Sequence, residues 1–203
     1  LSFLNYTASM APMAIIVAKH SFPRLVDNRK IGYTCAMDSA QDNNRFAVGE
    51  HVVYPLQGVG IIKRIEEQDF RGVDTMYYVI YLDISDMTVM IPVEKSEELG
   101  IRGIVAESEA QKAINSISSK YEPMPVDWKA RYQMNVDLLK EGSIASIAKV
   151  VQALYHRSKI KELPVQERKL YDSALRLLID ETAISLGKEK KEIEMIVFSR
   201  LEK

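Results

Sequence analysis

Two hydrophobic periods divide the chain. Between His51 and about Val93 apolar residues fall close to every second position, the repeat of a half-buried strand; from Ala106 to Leu201 they fall at spacings of three and four, the repeat of a helix face. In the first region His51-Val52-Val53-Tyr54 is followed by Pro55, Gly58 and Gly60, which predicts a strand ending in a tight bend. Ile61 to Glu67 resumes as a strand, and Arg71-Gly72 is a candidate hairpin turn. Thr75 to Leu82 is rich in β-branched and aromatic residues and predicts a central strand. Asp83 to Asp86 turns the chain. Met87 to Val93 then forms a last strand, which Pro92 must end or place at an edge because proline cannot donate to a ladder.

Four to five short strands in so little chain predict a small, strongly bent SH3-like or Tudor-like β-barrel. Its exposed edge would be the Met87–Ile91 strand, with Met87, Val89 and Ile91 on one face and Thr88 and Met90 on the other. Both sets could equally be buried by the barrel and the following helix.

The second region predicts a helix over Ala106 to Ile117, with Ala110, Ala113, Ile114 and Ile117 on one face. A connector containing Pro123 and Pro125 breaks it. Asp127 is a good N-cap, which puts the only tryptophan, Trp128, at the first helical position. That helix stops near Gly142, and Ser143 starts another, striped by Ile147, Val150, Val151 and Leu154, to about Arg157. Pro164 suits the start of a third, ended by Gly187, and Lys188 to Leu201 supplies a fourth. The fold class is therefore α+β, a small barrel followed by an all-helical bundle. The boundaries are a leader over 1–45, the barrel over 46–105, a helix and proline connector over 106–125, and the helical domain over 126–203.

The leader reads differently from the rest. Met10 to Ala18 is a short apolar run without the basic flank of a signal peptide, and Pro12, Pro23 and Gly32 interrupt any period. Met37 precedes a polar stretch, so residues 1–36 read either as an addition upstream of a start at Met37 or as a poorly ordered natural arm. Neither reading gives them a function.

Composition narrows the classes further. Of 203 residues, 47% are hydrophobic, enough for one sizeable core or two modest ones, and a net charge of −1 creates no global field for nucleic acid or membrane. The one cysteine, Cys35, excludes an internal disulfide and suits a reducing, cytoplasmic setting. No apolar run reaches the ~18 residues of a membrane span. Between Trp128 and Arg176, however, lysines and arginines outnumber acids ten to five, a local basic bias. His20, His51 and His156 are scattered, and Gly58-Val59-Gly60 lacks the further glycine and lysine of a phosphate loop. No catalytic, metal or cofactor site is expected, and the chain reads as a non-enzyme.

Three passages resemble the CarD/CdnL family of bacterial transcription regulators: Val48 to Pro55 with Gly58 and Gly60; Met90 to Val93 leading to Gly100-Ile101-Arg102; and Asp127-Trp128-Lys129-Ala130-Arg131-Tyr132-Gln133-Met134-Asn135 with Leu138, Gly142 and Ile147 to Val151. The resemblance runs from about Phe46 to Ser185. It implies that the barrel docks by strand pairing on the β subunit of RNA polymerase, through Gln68, Met87, Val89, Met90 and Ile91. It also implies that the helical domain contacts promoter DNA at the upstream edge of the melted bubble. Trp128 matches the family's minor-groove wedge, which slows collapse of the open complex; Lys129 and Arg131 would hold phosphates, with Lys149, Lys159 and Lys161 as secondary contacts. The protein would act as a monomer associated with the nucleoid through polymerase. Some relatives carry arginine where Met90 and Gln68 stand, and basic residues where Ala130 and Gln133 stand, so both grips lose charge here. The rival reading is a Tudor-like adaptor whose helical domain binds a protein partner and has no DNA role, with Trp128 in the core.

Overall fold

Alternation along the N-terminal half becomes a six-stranded antiparallel sheet in a computed structural model that describes residues 15–17, 45–70, 73–119 and 124–202. The strands are β1 (Ile15–Val17), β2 (His51–Tyr54), β3 (Gly58–Phe70), β4 (Val73–Leu82), β5 (Met87–Pro92) and β6 (Arg102–Gly103), in spatial order β1-β5-β4-β3-β2-β6. β4 is internal, as its composition demands. The β3–β4 ladder closes at Phe70↔Val73; the candidate turn at Arg71-Gly72 itself lies outside the described residues. Val52, Ile62, Tyr78, Ile80, Leu82, Val89 and Ile91 bury one face with Phe46 and Ile101. Gly60 lets β3 lie close against β4, because a Cβ there would meet the Tyr81 carbonyl oxygen at 2.8 Å.

Two expectations change at the sheet's margins. Among the described residues no ladder joins β1 to β6, so the sheet is open, and the strand pairing gives a bent sheet with two margins where an SH3-like or Tudor-like barrel was expected. The Met87–Ile91 strand is also not the edge. β1 pairs along it in the register Ile15↔Met90, Ile16↔Val89 and Val17↔Thr88, satisfying backbone groups that would otherwise face outward. Part of the segment to which no function was assigned therefore supplies a strand. Cys35, Met37 and the rest of residues 18–44 lie outside the described residues, as do residues 1–14.

The helical half contains α1 (Glu107–Ser116), α2 (Trp128–Glu141), α3 (Ile144–Ile160), α4 (Val165–Leu186) and α5 (Lys190–Leu201). Local chemistry explains the boundaries. Ser143 caps α3 by accepting a hydrogen bond from the Ser146 amide, and Pro164 stands immediately before α4. Gly142 ends α2 at φ 68°, where a side chain would be strained and would meet Pro55 Cγ at 3.3 Å. α1 is not a spacer. Its Ala110 and Ala113, with Ile117 at its C-cap, are buried in one core with Leu139, Ile147, Val151, Leu154, Leu178 and Val197. Among the described residues, no helix is long and apolar enough to cross a membrane.

An ion pair between a partly exposed arginine and a buried glutamate joins sheet and bundle. The Arg102 guanidinium on β6 makes two hydrogen bonds to the Glu181 carboxylate on α4 and donates from Nε to the Gly142 carbonyl at 2.8 Å. Ser185 Oγ donates to the Val105 carbonyl at 2.8 Å, extending the seam. Beside it an open cleft of about 320 Å³ lies between Leu56, Gly58 and Ile84 on the sheet side and Lys169, Ser173 and Arg176 on α4.

Candidate functional site

Asp127 caps α2 as its sequence position requires, its Oδ2 accepting from the Ala130 amide at 3.0 Å. That places Trp128 at the helix start with 38% of its surface exposed, beside Val126 at 88%. A ring of this size ordinarily buries most of its area and contributes strongly to a core, so a partly solvated one next to a nearly bare valine makes an apolar tip. Lys129 is exposed on the same turn.

The tip occupies a defined end of the bundle. Arg131, in the first turns of α2, reaches Glu167, in the first turn of α4, and four residues separate the end of α3 from the start of α4. The start of α2, the end of α3 and the start of α4 therefore share one end. Lys159 and Lys161 lie there, both exposed, with Lys159 Nζ 4.8 Å above the Tyr155 ring. Exposed Ile160 and Val165 stand in the same stretch. Lys149 is exposed but sits eleven residues back along α3, about 16 Å from that end at helical rise.

Arg131, expected among the phosphate contacts, does not join this surface. It is 2% exposed and its guanidinium makes four hydrogen bonds within the protein: Nε and Nη2 donate to Glu167 at 2.7 and 2.9 Å, and Nη1 donates to the Pro125 and Val126 carbonyls at 2.8 and 3.1 Å. Asn135 is buried one turn on and donates to the Arg131 carbonyl at 2.9 Å. Sequence reasoning missed Glu167, Glu181 and Asn135. An acid in the first turn of a helix is already accounted for by the helix dipole, so Glu167 gave no sign of a partner 36 residues away.

The residues expected to dock a partner lie on β5 and β3. Val89, Met90 and Ile91 are buried, Met87 is half-buried, and Gln68 is exposed with Nε2 donating to Glu66 at 3.0 Å. Burial takes the side chains of Val89, Met90 and Ile91 out of direct recognition; what β5 can offer a partner is its backbone edge, on which β1 now lies.

Among the described residues, no group of three or more His, Cys, Asp or Glu side chains is placed to hold a metal ion. The resolved pKa shifts are tyrosines. Burial pushes Tyr171 up to about 12, with Tyr155 and Asp172 adding; burial raises Tyr54; and the hydrogen bond from Tyr81 to Asp86 raises Tyr81. None of them lies at the Trp128 tip.

Residues 46–105 match the family model described as the CarD-like/TRCF RID domain, and residues 112–198 match that described as CarD, C-terminal domain. A Bacillus subtilis (strain 168) protein named "Putative transcription factor YdeB" is 36% identical over 149 residues, which are 73% of this chain and 97% of that protein.

Proposed function

The chain belongs to the CarD/CdnL family and has a transcription-related role, and from that premise we propose that it is a non-catalytic regulator that stabilises the open promoter complex. In this reading the sheet pairs with a strand of the RNA polymerase β subunit, and the Trp128 end of the bundle meets DNA at the upstream edge of the bubble. The observation that carries it is the exposed Val126–Trp128 tip at an end that also presents Lys129, Lys159 and Lys161. An apolar ring can prop base steps that are already partly unstacked, while lysines hold phosphates without reading sequence. Docking on polymerase raises the local concentration, so the tip itself needs little affinity for DNA. The strand that pairs with β5 in this complex replaces β1. The protein acts as a monomer on the nucleoid.

The adaptor reading keeps one point of support, since an exposed apolar tip suits a protein partner as well as a groove. Open-complex lifetime with bacterial RNA polymerase separates them. The native chain lengthens the lifetime, and Trp128→Ala retains polymerase binding but shortens the lifetime about fivefold or more, the scale of one lost base–aromatic stack. An unchanged lifetime despite confirmed polymerase binding leaves the adaptor reading.

A further inference from the structure

We infer that Arg131 and Glu167 are a positioning pair that aims Trp128, an inference that rests on the wedge reading above. The two carbonyls that Arg131 Nη1 holds, those of Pro125 and Val126, belong to the residues immediately before the cap at Asp127. Fixing both carbonyls fixes the path by which the connector reaches α2. With the Asp127 cap closing the other side, the backbone at Trp128 has one course, and the ring keeps only its own side-chain torsions. Glu167 holds the opposite edge of the guanidinium with both carboxylate oxygens and is itself buried on α4. The aim of the ring is thereby referenced to α4, whose start lies at the same end as Lys161.

The geometry needs arginine. A planar fork can serve a bidentate carboxylate and two carbonyls at once, whereas a lysine ammonium has three donors around one point and cannot span them. It also needs both partners, because either charge left alone in this buried position would be strongly destabilising. A solvated surface pair would carry no such requirement.

The test uses the full chain with three variants: Arg131→Lys, the double variant Arg131→Met with Glu167→Leu, and Trp128→Ala as reference. The double variant removes both charges together, a replacement that buried pairs often tolerate. Circular dichroism reports the fold, and polymerase affinity reports docking. Fluorescence anisotropy decay of the single tryptophan reports ring mobility, and open-complex lifetime reports the wedge. The expected double variant is folded and polymerase-bound, with a more mobile ring and a lifetime within about twofold of Trp128→Ala. Arg131→Lys falls between it and the native chain. Native ring mobility together with native lifetime in the folded double variant overturns the inference. Should the double variant fail to fold, Arg131→Lys decides by the same two readouts. If Trp128→Ala itself has the native lifetime, the wedge reading fails separately; ring mobility then decides the positioning role alone, loosened in support and unchanged against.

Discussion

A guanidinium is tolerated out of water when its N–H groups find acceptors, and Arg131 finds four, from Glu167, Pro125 and Val126. Its neighbour Lys129, two residues earlier in the same basic run, stays exposed. The run therefore holds two kinds of cation, one that can meet a ligand and one that shapes the peptide presenting Trp128. Tyr171 supplies a separate test at this scale. Its hydroxyl is pushed from 10.0 up to about 12, first by burial and then by Tyr155 and Asp172. Between those values the unfolded chain has lost a proton that the folded chain keeps, so the contribution is present below about pH 10 and falls as pH rises towards 12. Urea unfolding at pH 9.5 and pH 11 should show a smaller stability loss in Tyr171→Phe than in the parent. An equal loss would mean that Tyr171 does not couple to folding. Tyr54 and Tyr81, also raised, leave a residual slope in both.

Elements are where the pattern of the chain and its fold agree best. Period-two alternation, Asp127, Ser143, Pro164 and Gly187 place β2, β4, β5 and the ends of α2, α3 and α4, because each signal acts within one turn or one strand. β1 was not legible in that way. Ile15-Ile16-Val17 has the composition of a strand, but three residues carry no period, and only the open backbone of β5 gives them a place. Replacing both Ile15 and Ile16 with proline removes a ladder donor whichever of the two faces β5. Amide hydrogen exchange at Thr88 to Met90 should then accelerate. If β5 is the docking strand, polymerase affinity should rise as well, since the incoming strand no longer has to displace β1. Unchanged exchange would show that β1 does not protect the edge.

For the whole molecule, the relation of sheet to bundle follows from Arg102. A proline connector suggests freedom between domains, yet that connector lies within the helical half, between α1 and α2. The real junction runs from β6 into α1, and there Arg102 holds Glu181 and the Gly142 carbonyl at once. The β5 edge and the Trp128 tip are thus parts of one frame, as the proposed function requires if the chain is to reach DNA while held on polymerase. Arg102→Ala strands the Glu181 carboxylate, which has no exposed surface, and should cost about 3 kcal/mol in denaturant unfolding. Small-angle scattering of the surviving native fraction should broaden as the domains lose their fixed angle. A variant as stable and as compact as the parent would remove the clamp from this account.

What the sequence determined by itself is local: two hydrophobic periods, the order of strands and helices, the caps, and the placing of Trp128 at the start of a helix after a proline connector. These depend on residues a few positions apart, so they can be read in order along the chain. Which charges are surface and which are structure was decided by the tertiary fold. Arg131 meets Glu167 across 36 positions and Arg102 meets Glu181 across 79, and β5 finds β1 from beyond a long stretch of intervening chain. A charged side chain reads the same alone whether it ends in water or against a carboxylate. The difference lies in desolvation and partner geometry, and those exist only once distant segments have packed.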